Sequence, residues 1–96
     1  MKRKHRKPEK RRKLKGPIHG RILALRLRRG LSQSALAATV GVKKTAVSHW
    51  ENRVARPDIS RLSVLASSLH TSIRDLVDGE DWPAVESLLD ARARAA

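Results

Sequence analysis

Between residues 18 and 69 the apolar positions recur every three or four residues, the period of helices buried along one side. Ile18, Ile22 and Leu25 mark a first helix, about Ile18–Arg29, with Pro17 suited to its first turn and Gly30 to its end. Ser32 can cap a second helix, about Gln33–Val40, although Ala35 cannot complete a reciprocal capping box. Gly41 ends that helix in a turn that favours positive φ, and a third follows, about Lys44–Asn52. A polar connection, Arg53–Arg56, is closed by Pro57. Asp58 then caps a fourth helix, about Ile59–Leu69, whose Leu62, Leu65, Ala66 and Leu69 form one stripe. Ser72 and Asp75 have capping-box spacing and open a short fifth helix ending near Gly79. Trp82-Pro83 starts a sixth, to about Arg94, with acids early and arginines late, as the helix dipole favours. No strand alternation and no internal repeat interrupts this all-α pattern.

The second and third helices have the internal spacing of a helix-turn-helix. With Gln33 as its first position, Ala37 is fifth, Gly41 ninth and Val47 fifteenth. A small residue at 37 lets two helices cross closely. Leu36, Val40, Val42, Val47 and Trp50 take the places expected to be buried. Rotating the third helix by about 100° per residue puts Lys44, Thr45, Ser48, His49 and Asn52 on one arc, about 140° wide. Ala46, Val47, Trp50 and Glu51 fall on the other. The first arc is wholly cationic or hydrogen-bonding, the chemistry that reads base edges and phosphates.

Charge adds a direction. Residues 1–15 hold ten Lys/Arg and one Glu, a net +9, with almost no apolar residue, which predicts a disordered basic arm over Met1–Lys15. Residues 16–74 carry +8 and residues 75–96 carry −4, within a total of +13. A basic front and an acidic end point to a polyanion at one face. The chain thus divides into an arm (1–15), a DNA-binding domain (16–79) and a helical C-terminal extension (80–96).

The residues Arg21-Ile22, Leu25-Arg26, Gly30-Leu31-Ser32-Gln33, Leu36-Ala37, Val40-Gly41-Val42, Val47-Ser48, Trp50-Glu51-Asn52, Pro57, Leu62, Leu65-Ala66, Leu69 and Asp75-Leu76 resemble the lambdoid phage repressor and Cro family, the Xre-type helix-turn-helix proteins. The resemblance spans residues 18–79. It implies a five-helix lambda-repressor-like domain, here followed by the sixth helix, that binds operator DNA as a homodimer. It implies base contacts from Gln33, Lys44, Thr45, Ser48 and His49. Phosphate contacts are implied from Ser32, Lys43, Asn52, Arg53 and Arg56. It also implies an ion pair between Arg26 and Glu51, consistent with a carboxylate on the inward arc that would be costly to leave unpaired. Two positions depart from the family pattern. Lys43 stands where Thr or Ser usually caps the third helix, and Arg53 where Gly commonly follows Glu-Asn.

Other chemistries have little support. Cysteine is absent, and His5, His19, His49 and His70 lack metal-ligand spacing. No nucleophile motif surrounds any Ser or His, so no catalytic residue, cofactor, metal or small-molecule ligand is expected. No apolar run reaches the ~20 residues of a membrane span. The expectation is a cytoplasmic, nucleoid-associated regulator on double-stranded DNA. The competing class is a bridging or interaction module of the same fold, in transcription or on the ribosome. Trp82, Val85, Leu88 and Leu89 form a compact apolar set on the sixth helix, too short to be stable alone. Leu23 and Leu27 lie off the main stripe of the first helix. Residues 82–91 are therefore predicted to dock on a surface that includes Leu23 and Leu27, within one chain or across a dimer.

Overall fold

The computed structural model describes residues 13–95, and those residues fold into six α-helices without a strand. They are α1 (Ile18–Arg28), α2 (Gln33–Val40), α3 (Lys44–Glu51), α4 (Leu62–Ser68), α5 (Ile73–Val77) and α6 (Pro83–Ala95). Most of the predicted arm, residues 1–12, lies outside the described residues.

The caps explain several boundaries. The Ser32 hydroxyl accepts from the N–H of Ala35 at 2.9 Å, and the Ser72 hydroxyl from the N–H of Asp75 at 3.0 Å. Each satisfies an amide that the first turn of a helix leaves without a partner. Gly41 closes α2 at φ 84°, and its N–H and that of Val42 both return to the carbonyl of Ala37. An L side chain is strained in that conformation, which is why glycine stands there. Arg61 covers the same helix end from afar, donating to the carbonyl of Val40 at 3.3 Å.

The region predicted as one helix, Ile59–Leu69, is divided. Asp58 accepts from both the N–H and the hydroxyl of Ser60, two residues on. That tight grip winds Ile59–Arg61 into a 3₁₀ turn, and α-helical geometry begins only at Leu62.

Ile18, Ile22, Leu36, Val47, Leu62, Leu65 and Leu76 are fully buried and make a single core with Ala37, Val40, Trp50 and Leu69. Val42, placed among the buried residues by its spacing, is only half-buried, because the turn carries it to the margin of the core. α6 and the residue before it contribute to the same core: Val85 is 1% and Trp82 8% exposed, with Leu89 packed against the cluster. The docking surface is not the predicted one, however. Leu23 and Leu27 remain 37% and 60% exposed. α6 instead runs beside α4 and α5, where Leu89 shares one cavity with Ala66 and Ile73 and another with Val77 and Trp82. The apolar stripe left open by the short α5 is nearer in sequence and already continuous with the core, so α6 completes it.

Candidate nucleic-acid interface

α3 is held from beneath by Val47, fully buried, and Trp50, 4% exposed. Its opposite face presents Lys44, Thr45 and His49 to solvent, with Ser48 half-buried beside them. The sequence-predicted polar arc is thus assembled on one surface. At its start Lys43 is extended (φ −85°, ψ 155°) and supplies no side-chain cap. The first turn of α3 is therefore closed by backbone alone, the N–H of Ala46 donating to the carbonyl of Lys43 at 2.9 Å, and it carries two exposed lysines, Lys43 and Lys44. At its end Asn52 donates to the Ser48 hydroxyl at 3.2 Å, which leaves the Ser48 O–H to donate elsewhere.

Two struts fix α3 to α1. The predicted pair is present: Arg26 Nε donates to Glu51 Oε2 at 2.6 Å and Nη2 to Oε1 at 3.0 Å. The side chains are 11% and 5% exposed, so this is a buried, two-point ion pair. Its hydrogen bonds push the Arg26 pKa above its ordinary value, against the opposing effect of burial. Arg26 also donates to the carbonyl of Leu31 at 2.9 Å, and Gln33 Nε2 to Glu51 Oε1 at 2.9 Å. One carboxylate therefore joins α1, the start of α2 and α3. Gln33, expected at the DNA, is half-buried with its amide nitrogen in this network.

The second strut is His19, fully buried, with Nδ1 2.6 Å from the carbonyl of Trp50. A carbonyl only accepts, so Nδ1 carries the proton, and Nε2 is buried without a partner. Sequence reasoning weighed His19 only as a metal ligand. The signal available was its register: seven residues before Arg26, it lies within about 20° of the same face of α1.

The predicted phosphate contacts divide. Ser32 and Lys43 are exposed at the starts of α2 and α3, and Asn52 and Arg53 at the end of α3. Ser32 Oγ accepts within its cap, and its O–H stays available. Arg53 adopts φ 64°, so the turn that usually carries glycine is kept by arginine in a left-handed conformation. Its guanidinium reaches the carbonyls of Leu14 and Gly16 at 3.4 and 3.3 Å. Arg56 is turned to the C-terminal segment, its guanidinium 4.2 Å from the centre of the Trp82 ring.

The helix-turn-helix family profile matches residues 22–76, more than half of the chain and the whole of α2 and α3. The chain belongs to the Xre/Cro-type helix-turn-helix family. Among solved structures this family member resembles the P22 c2 repressor in complex with a synthetic operator, at 32% identity and a TM-score of 0.63, over 69% of this chain and 100% of that one. It also resembles SinR, described as the master regulator for biofilm formation, in complex with DNA, at 33% identity and a TM-score of 0.60, over 65% and 100% of the two chains. SinR comes from Bacillus subtilis. The restriction-modification controller protein C.AhdI from Aeromonas hydrophila is similar at 29% identity and a TM-score of 0.58, over 62% and 89%. No curated protein gives a significant match.

Proposed function

We propose that this protein is a non-enzymatic transcriptional regulator of the repressor type that binds a specific sequence in duplex DNA. The observation that carries this reading is the face of α3. Lys44, Thr45, Ser48 and His49 share one surface of a helix whose other side is locked to α1 by Arg26–Glu51 and His19–Trp50. An exposed helix held this rigidly fits the major groove and presents side chains to base edges. The similar P22 c2 repressor and SinR are described in complex with DNA.

In this reading Lys44, Thr45, Ser48 and His49 read bases. Gln33, oriented by Glu51, does so at the start of α2. Ser32, Lys43, Asn52 and Arg53 hold phosphates. Arg56 acts on the backbone through its place beside Trp82. No cofactor, metal or small ligand takes part. Eight residues of α3 cover only part of a groove. The active species is therefore a homodimer on a two-fold site, with half-sites about one helical turn apart. It acts in the cytoplasm, on the nucleoid. Among the described residues no helix is long and apolar enough to cross a membrane.

Selection of bound duplexes from a random pool, followed by affinity measurement, tests this. A two-fold motif should emerge and bind at least about 10³ times more tightly than random duplex. Salt-sensitive binding without a motif would overturn the regulator and favour a bridging or RNA-associated role.

A further inference from the structure

α1 begins without a cap of its own: Pro17 precedes it, and no local side chain accepts from its first turn. The acceptor comes from the other end of the domain. Glu80, between α5 and α6, accepts from the N–H of Ile18 at 2.8 Å, and its side chain is 1% exposed. A buried carboxylate needs charge compensation. Here it has the positive end of α1 and Arg56, whose Nη1 lies 3.8 Å from Oε1. Arg56 is fixed in turn by the Trp82 ring and by the carbonyl of Asp81 at 3.5 Å. The chain passes this carboxylate at Gly16, φ 132°, where a side chain would be strained and its Cβ would displace the Glu80 carboxylate.

The same segment is tied to the end of the recognition helix. The N–H of Leu14 donates to the carbonyl of Arg53 at 2.8 Å, and Lys13 Nζ to the carbonyl of Asn52 at 3.0 Å. Arg53 returns hydrogen bonds to the carbonyls of Leu14 and Gly16. Residues 13–16 are thus clamped between the end of α3 and Glu80. Upstream of that clamp, residues 1–12 hold eight Lys/Arg and one Glu.

We propose that Glu80, with Arg56 and Trp82, is a positioning cluster that roots the basic N-terminal segment beside the end of α3, so that its charges act on the same duplex as the recognition helix. This rests on the DNA-binding reading above. It makes the C-terminal segment a determinant of DNA affinity although its own charge is negative. Glu80 acts through the segment it anchors, so its effect on binding requires that segment's charge.

The test is a double-mutant cycle in the full-length chain. One arm is Glu80→Ala. The other replaces the eight Lys/Arg of residues 1–12 by glutamine. Affinity for a 30-base-pair duplex is measured by fluorescence anisotropy across salt concentrations, below the melting point of every variant. Charge replacement should flatten the log affinity against log salt slope by about 0.9 for each phosphate that the segment no longer neutralises. Glu80→Ala alone should lower the slope by the equivalent of at least one phosphate and weaken binding roughly tenfold at low salt. In the charge-replaced chain Glu80→Ala should change neither. Glu80→Gln keeps an acceptor for the Ile18 N–H, so it should retain most of the slope even if it lowers the melting temperature. Equal losses from Glu80→Ala in both backgrounds, or loss in neither, would overturn the cluster while leaving duplex binding intact. Absence of duplex binding by the unaltered chain would overturn the functional reading beneath it as well.

Discussion

The two ends of α3 are held by different physics. At its start and along its inner face, the α2–α3 unit follows local rules. Ala37 allows the crossing, Gly41 the turn, Ser32 the cap, and Val47 and Trp50 the seat on the core. At its far end, Asn52, Arg53 and Arg56 are organised by groups remote in sequence. Leu14 is 39 residues from Arg53, and Glu80 caps α1 across 62 residues. The first region is built by these short-range rules and pinned to α1 by Arg26–Glu51 and His19–Trp50. The second is assembled from contacts that residues 13–16 make with Asn52 and Arg53 and that Glu80 makes with Ile18.

The largest expected effect lies in the first region. Glu51→Ala leaves the Arg26 guanidinium buried without its partner, which costs about 3–5 kcal/mol. In a domain of this size that lowers the melting temperature by more than about 12 °C. Replacing Arg26 by Met and Glu51 by Leu together should recover most of the loss, because both charges leave the core. Simple additivity of the two single losses would contradict a coupled pair.

The second region gives the next largest effect. Trp82→Ala removes a buried ring and the stack beneath Arg56, for a loss of about 3 kcal/mol in thermal or urea unfolding. An unchanged midpoint would show that the C-terminal helix is not part of the core.

A smaller effect is expected at Asp58. Its hydrogen bonds from the Ser60 hydroxyl and then the Ser60 N–H hold its carboxyl below the usual 3.8. A depressed carboxyl stabilises the fold above its unfolded pKa, and that contribution fades as pH falls through the lowered value. Asp58→Ala should therefore lower the melting temperature slightly near neutrality. The gap should close below about pH 4. A gap that widened with acid would reverse the sign.

The smallest effect belongs to the more exposed of the two leucines. Leu27→Ser should shift stability by no more than about 0.5 kcal/mol in the isolated chain, since that side chain is 60% exposed. A loss of several times that size would mean that the face is buried in solution.

These contrasts follow what a sequence can express. Helix periods, caps and the helix-turn-helix spacing act within four or five residues, and they locate α1, α2, α3 and α5 closely. Arg26–Glu51 is legible because the family resemblance supplies the partner that spacing alone does not name. The 3₁₀ turn at Ile59–Arg61 is hidden because Asp58 can cap either geometry, and the choice depends on Ser60 being two residues away. The role of His19 escapes a sequence reading because its partner is a backbone carbonyl, which leaves no mark in composition. Glu80 looks like one of several C-terminal acids. Nothing local says that its carboxylate turns inward to the start of α1. Leu23 and Leu27 invite pairing with α6 because both sets are apolar and unexplained, while the core already offers Trp82 and Val85 a place beside α5.

The central claim, that the polar face of α3 reads sequence, is tested most directly by exchanging that face alone. Alanine is placed separately at Lys44, Thr45, Ser48 and His49 in the full chain. Each variant is titrated against the selected operator, its single-base variants and random duplex at one salt concentration. The account predicts that at least one variant loses about 1–3 kcal/mol of discrimination at a definable base pair, with random-duplex affinity far less affected. Unchanged operator preference in all four variants would contradict it.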